Sequence, residues 1–114
     1  VSSWVCESLK TNQIKLNLLF KATFDGFSAN DFKKKCANVN NTIVVARTNF
    51  GKIIGGFSPI AWRDPEEEGF AYEEDPSNTT FLFSLSLGEK YNLIISEYAI
   101  CNTNNLGPVF GGGR

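Results

Sequence analysis

The feature that most constrains the fold is an alternation of apolar and polar residues in several short runs. Residues 81–87 place Phe or Leu at every second position, which is the period of a strand with one buried face. Residues 42–47 and 52–57 carry β-branched side chains, and the short loop between them ends in Gly51. Two such runs around a glycine turn predict a β-hairpin, so we expect a chain built mainly of antiparallel strands.

Other runs extend this pattern. In residues 14–22 one parity holds only Ile, Leu, Phe and Ala, and the other holds mostly Lys and Asn, which predicts a half-buried strand. Residues 91–95 and 98–101 predict two more strands. Inside the second hairpin run, Gly55 and Gly56 indicate a bulge or a close crossing of two backbones.

A helix is predicted from Ser28 onward by the residues around its start. Ser28 precedes Asp31 by three positions, which is a capping box in its aspartate form. Phe27 and Phe32 have the spacing of a hydrophobic staple, while Phe32 and Cys36, four residues apart, share one helix face. We therefore expect Phe32 and Cys36 to be buried and Phe27 to pack against Phe32.

A second short helix and two charged runs complete the pattern. Residues 4–9 predict a helix that turns Trp4, Val5 and Leu9 inward. The lysines at 33–35 end the other helix, where the helix dipole favours positive charge, and a solvated helix end is favoured over a binding patch. Residues 63–76 contain seven Asp and Glu and predict a solvated acidic loop, with binding of a cation or a basic partner as the alternative.

Length and composition limit the classes of function. The 114 residues suit one domain over residues 1–114. A net charge of −1 argues against binding nucleic acid by charge, and the lack of a long apolar run argues against direct membrane insertion. The chain has no His, which removes the commonest general base and metal ligand. Its three cysteines form no CxxC pair, so we expect neither a disulfide framework nor a metal site.

Cys36 is the strongest candidate for covalent chemistry. The lysines beside it could favour the thiolate, which makes Cys36 a redox candidate. The helix register instead places it on the buried face, where a thiol acts as a small apolar side chain, and this interpretation is favoured. Asp25 is expected to shape a turn and bind backbone donors. Trp62 is expected to pack in the core, with a partner contact as the alternative. No acid, base and nucleophile converge, so no enzyme activity is expected.

The order of the motifs resembles the TLDc domain family. The residues that carry the resemblance are, in chain order, Asp25, Gly26, Phe27 and Ser28, then Gly55 and Gly56 with Trp62 downstream, then residues 81–85, and last Gly107 and Phe110. These four matches follow one another over nearly the whole chain, which makes the resemblance specific.

The resemblance implies an α+β, mainly β fold, a sandwich of two antiparallel sheets flanked by short helices. The family includes oxidation-resistance proteins and related eukaryotic regulators, several of which bind the vacuolar proton-pumping ATPase. No settled reaction and no cofactor attach to the fold. The resemblance therefore implies an intracellular, cytoplasmic protein-interaction domain with the vacuolar ATPase as partner. The alternatives are a thiol-dependent antioxidant activity at Cys36 and a structural subunit of a larger assembly.

The chain departs from the family pattern in two respects. Lys21 stands where an Arg is common, and Phe24 and Asp25 replace an Arg-Asp pair, which weakens any charge-based site there. The chain also begins with Val1 and stops at Arg114, where the family pattern continues with further strands. We therefore expect a fragment or processed form whose final strands are missing, with an unpaired sheet edge that favours self-association.

Overall fold

The computed structural model describes residues 2–11, 13–63, 70–93, 96–103 and 107–110. These residues form short helices and two antiparallel sheets, which confirms the predicted, mainly β, two-sheet fold. The helices are α1 (Ser2–Leu9), α2 (Ala22–Asp25) and α3 (Ala29–Cys36), and Ser96–Tyr98 form a 3₁₀ turn. The strands are β1 (Thr42–Arg47), β2 (Ile53–Ser58), β3 (Phe70–Glu73), β4 (Phe81–Ser84), β5 (Glu89–Asn92), β6 (Ile100–Thr103) and β7 (Val109–Phe110).

The larger sheet has the strand order β1-β2-β4-β5. Its first two strands form the predicted hairpin, with Gly51 in the turn at a φ of +77°, a left-handed conformation that glycine adopts readily. Gly55 and Gly56 pair in regular register with β1 on one side and β4 on the other. Of the two alternatives predicted for these glycines, a bulge or a close crossing, the bulge is therefore wrong.

The later strands of the larger sheet are shorter than predicted. β4 covers only the first half of residues 81–87, because the chain then turns so that β5 can pair with β4. Leu85 and Leu87, which the alternation placed in the core, are exposed in this turn. The strand predicted over residues 91–95 overlaps β5 at its start, and residues 94–95 lie outside the described residues.

The smaller sheet has the order β3-β6-β7. β3 lies inside residues 63–76, so the prediction of a solvated loop is wrong for this part, where the backbone pairs with β6. Residues 64–69 of that loop lie outside the described residues. β6 begins at Ile100 rather than at Tyr98, because Tyr98 closes the 3₁₀ turn.

The strand predicted over residues 14–22 is also wrong. Residues 13–21 belong to no described strand, and α2 begins at Ala22. Leu16 and Leu18, predicted to face the core, are 68 % and 80 % exposed. A strand needs a neighbour for its hydrogen bonds, and the described residues supply none here.

Among the described residues, two clusters of buried side chains form the core. The Phe57 cluster consists of Val5, Phe57, Phe81 and Phe83. The Trp62 cluster consists of Phe32, Cys36, Trp62 and Ile100. Successive residues of a strand face opposite sides of its sheet. Phe57 of β2 points toward α1, whereas the preceding residue, Gly56, faces Phe110 of β7. The larger sheet is therefore covered on both faces, by α1 and by the smaller sheet, although Leu9 at the end of α1 is exposed.

Candidate functional site

The signature loop, residues 24–28, is held by hydrogen bonds to its own backbone. The Asp25 carboxylate accepts a hydrogen bond from the Lys21 N–H at 2.9 Å, as expected for a turn-shaping Asp. The Ser28 hydroxyl accepts from the Asp31 N–H at 3.1 Å, and the Asp31 carboxylate accepts from the Ser28 N–H at 3.3 Å. The predicted capping box is thus present. Hydrogen bonding of the Asp31 carboxylate with the side chain and the backbone of Ser28 lowers the pKa of Asp31.

Gly26 is required by the geometry of this loop. Its φ is +109°, and a Cβ at this position would collide with the Asp31 carboxyl group. A side chain would therefore strain the turn and displace the capping aspartate at once.

The two phenylalanines of the signature loop point into solvent. Phe24 is 82 % and Phe27 is 83 % exposed, and the Lys21 ammonium lies 4.7 Å from the centre of the Phe24 ring. The predicted staple between Phe27 and Phe32 is therefore wrong. Phe20 packs on Phe32 in place of Phe27, because the chain before α2 passes beside α3. The two rings meet edge-on, with 5.8 Å between their centres.

Gly55 and Gly56 allow side chains from both sides to approach the middle of the larger sheet. A Cβ on Gly55 would collide with the Val44 carbonyl oxygen and the Phe83 ring. A Cβ on Gly56 would lie 2.7 Å from the Phe110 ring, closer than carbon atoms can pack. The close approach predicted for this pair therefore involves aromatic rings as well as backbone. At Gly107 a Cβ would meet no atom of the described residues within 4 Å.

Trp62 lies fully buried at the junction of helix and sheets. Its ring packs edge-on against the rings of Phe32 in α3 and Phe110 in β7, with distances between ring centres of 5.8 Å and 5.4 Å. Its indole N–H donates a hydrogen bond to the Thr42 hydroxyl of β1 at 2.9 Å. The structure places Trp62 in the core, which was the favoured interpretation.

The structure gives Cys36 the surroundings of a packing residue. Cys36 is 7 % exposed, and burial, together with the negative charge of Asp25, raises the pKa of its thiol. Lys34 and Lys35 are exposed, as predicted for a solvated helix end. Lys33 is not, because it is buried and its ammonium donates to the Arg63 carbonyl at 2.6 Å. The lysine run therefore does little to favour a thiolate at Cys36.

Asp75 holds the turn that follows it, and the sequence pattern did not predict this role. It was assigned to the solvated loop but is 1 % exposed. Its carboxylate accepts from the N–H groups of Ser77, Thr79 and Thr80 at 2.8–3.0 Å, and from the Thr80 hydroxyl at 2.7 Å. The signal was present, since an Asp followed by several Ser and Thr is typical of a side chain that accepts from the next turn.

Asn102 is a second buried polar residue that the sequence reading missed. Its side-chain oxygen accepts from the Arg63 N–H at 2.9 Å, and its amide donates to Glu73 at 3.4 Å. The Arg63 guanidinium lies 3.8 Å from the same Glu73 carboxylate. This network ties the segment after Trp62 to the smaller sheet.

These observations describe a two-sheet β-sandwich whose signature residues mainly form turns, caps and tight packing. Within the residues that the structure describes, no three Cys, Asp or Glu side chains are grouped so that they could hold a metal ion. None of the described helices has the length and apolarity that a membrane crossing needs. The model of the TLDc domain family matches residues 3–114, and the chain therefore belongs to the TLDc domain family. No curated protein and no solved structure matches the chain significantly.

Proposed function

We propose that this TLDc domain is a non-enzymatic, cytoplasmic protein-interaction domain whose partner is the vacuolar proton-pumping ATPase. Its biological role is protection against oxidative damage. Family membership over residues 3–114 supports an interaction role. So does the use of the signature residues, since Asp25, Gly26 and Ser28 are engaged within their own loop and cap.

The observation that carries the proposal is the exposure of Phe24 and Phe27 beside that capped turn. Two neighbouring aromatic side chains in solvent are typical of a protein interface. Burying a phenylalanine against a partner contributes about 2 kcal/mol. The turn beneath them is fixed by Asp25 and by the capping box, so little ordering is required on binding.

The alternative of thiol chemistry receives less support. Cys36 and Cys101 are buried, and burial raises the pKa of both thiols. The sequence contains no His that could activate them. The reactive thiolate is therefore disfavoured at both positions.

Binding of the whole chain to purified vacuolar ATPase, measured by biolayer interferometry, tests the proposal. We expect binding to be lost in the Phe24→Ser/Phe27→Ser variant and kept in Phe50→Ser, because Phe50 is at least as exposed but lies in the hairpin turn. No binding to the ATPase would remove this partner. Recovery of the chain in one stoichiometric complex of other proteins would favour a structural subunit instead.

A further inference from the structure

Residues 14–20 have the sequence of a strand without a strand beside them. Their backbone N–H and C=O groups form no hydrogen bond within the part of the chain that the structure describes. Seven consecutive peptide groups that have no partner among the described residues are a template for pairing with another chain. This segment therefore has the main requirement of strand addition.

The segment is fixed at its ends and exposed in its middle. Ile14 packs against the Phe57 cluster and Phe20 against the Trp62 cluster. Between these two anchors, Leu16 and Leu18 lie in solvent. Because both ends are held by the core, the middle is presented in one place at a small cost in chain entropy.

The charges around the segment indicate which partner it suits. Residues 10–35 contain six lysines, of which Lys33 is buried, and two carboxylates. The two carboxylates, Asp25 and Asp31, already accept hydrogen bonds from backbone N–H groups. Lys15 and Lys21 are exposed and lie on the parity opposite Leu16 and Leu18. The segment therefore presents unpaired backbone and apolar side chains in a basic setting.

We propose that residues 14–20 are a docking strand for an extended, acidic segment of a partner protein, which pairs with this backbone and places carboxylates near Lys15 and Lys21. The inference rests on the proposed interaction function and gives that partner its chemistry. A second copy of the chain would bring lysines toward lysines, which is unfavourable. Insertion into lipid would leave peptide groups unpaired in hydrocarbon, which is strongly unfavourable.

The probe is a synthetic ten-residue peptide that alternates Glu and Val, with a Lys and Val peptide of the same length as its counterpart. Binding to the whole chain is measured by fluorescence anisotropy, and amide hydrogen exchange is followed at residues 14–20. We expect the acidic peptide to bind and to slow exchange at every second amide of the segment, the pattern of an antiparallel edge. Lys15→Glu/Lys21→Glu should raise the Kd about tenfold, and Lys52→Glu, an exposed charge in the hairpin turn, should not.

Equal binding of the Lys and Val peptide, or unchanged exchange at residues 14–20, would overturn the docking strand. So would binding to phosphatidylserine vesicles in place of the acidic peptide, or a concentration-dependent dimer that protects the same amides. The two proposals can fail separately. If the Lys15→Glu/Lys21→Glu variant binds the vacuolar ATPase normally and the peptide does not bind, the docking strand fails and the proposed function stands. If the peptide binds as expected and the ATPase does not, the proposed function fails and the docking strand stands.

Discussion

Asp75 orders the segment between β3 and β4 through the hydrogen bonds to its carboxylate. Burial by itself raises the pKa of this carboxyl group. The hydrogen bonds from Ser77, Thr80 and Thr79 together outweigh burial and lower its pKa below the ordinary value. The charged form is therefore the one that the folded protein stabilises.

This lowered pKa predicts a loss of stability in acid. A carboxyl group whose pKa is lower in the folded state contributes stability above its unfolded pKa and loses it as the pH falls through the folded pKa. The free energy of unfolding should therefore decline below about pH 4. Asp75→Asn should flatten this decline and lower the free energy of unfolding at pH 7 by about 2–4 kcal/mol. The reason is that the new NH₂ group, a donor, would face the N–H donors of Thr79 and Thr80.

Urea denaturation between pH 7 and pH 3 measures both effects. Glu74→Gln is the matched control, since this neighbouring carboxylate is exposed, and it should leave the free energy of unfolding at pH 7 unchanged. A pH profile of Asp75→Asn that parallels the parent profile would contradict the role of Asp75.

The burial of Cys36 leads to a prediction about thiol reactivity. In the native protein, Cys36 and Cys101 should react with iodoacetamide at least roughly tenfold more slowly than the half-buried Cys6, because burial protects them and raises the pKa of their thiols. Mass spectrometry of timed samples gives the three rates. Cys36→Ser should leave any peroxide consumption unchanged. A fast reaction at Cys36 in the folded chain would return it to the redox candidates.

Single residues were predictable from the sequence where their partners are close in the chain. The Asp25 turn and the Ser28 capping box depend on residues three or four positions away, so their spacing was sufficient. The position of Phe27 was not, because a residue from before α2, Phe20, packs on Phe32 instead. The burial of Lys33 also depends on a distant group, the Arg63 carbonyl.

Among the elements, the β1–β2 hairpin was predictable because both strands and the turn lie in one short stretch of sequence. Residues 14–22 show the opposite case, since an alternating pattern indicates which side could be buried and says nothing about a neighbouring strand. β3 was missed because Glu73 and the carboxylates around it resemble a solvated loop. Glu73 is in fact only partly exposed, beside Arg63 and Asn102.

The glycine pair of β2 allows a graded test of packing. Gly55→Ala should destabilise the fold by about 3 kcal/mol or more, because its Cβ would collide with the Val44 backbone, which cannot move freely. Gly56→Ala should cost less, about 1–3 kcal/mol, because the Phe110 ring can shift. Gly107→Ala is the control and should be nearly neutral. Thermal and urea unfolding rank the three variants, and equal effects at Gly55 and Gly107 would refute the packing argument.

At the scale of the whole molecule, the larger sheet contacts both core clusters, because Ile43 of β1 packs against the Phe57 cluster and Val44 of β1 packs against the Trp62 cluster. Trp4 packs against Phe81 at 6.3 Å on one face, and Trp62 lies in the cluster on the other face. Because β1 packs against both clusters, we expect the two clusters to unfold together. The prediction of a single domain over residues 1–114 therefore has a direct test in the two tryptophans.

Each tryptophan can report on its own cluster when the other is replaced. In Trp4→Phe and in Trp62→Phe, the midpoint of unfolding by fluorescence should equal the midpoint by far-ultraviolet circular dichroism, as in two-state unfolding. Trp62→Phe should have the lower midpoint, because it also leaves the Thr42 hydroxyl without its indole donor. Separate midpoints for fluorescence and circular dichroism would show that the clusters unfold independently.

Self-association through a sheet edge also stays a prediction at this scale. In the described strand order, β1 and β5 are the end strands of the larger sheet, and each has one side open to a further strand. Sedimentation velocity over a range of concentrations would detect it. A constant monomer mass would remove this expectation without affecting binding at residues 14–20.

The contact between Gly56 and Phe110 has a consequence for sequence variation among related chains. The two positions are 54 residues apart in the sequence. Gly56 has no side chain, and the Phe110 ring occupies the space that a side chain at position 56 would need. A relative with Ala or Ser at position 56 should therefore carry a smaller side chain than Phe at position 110. Such compensating pairs would appear as covariation between two distant columns of an alignment, and they would mark where the two sheets meet without any coordinates.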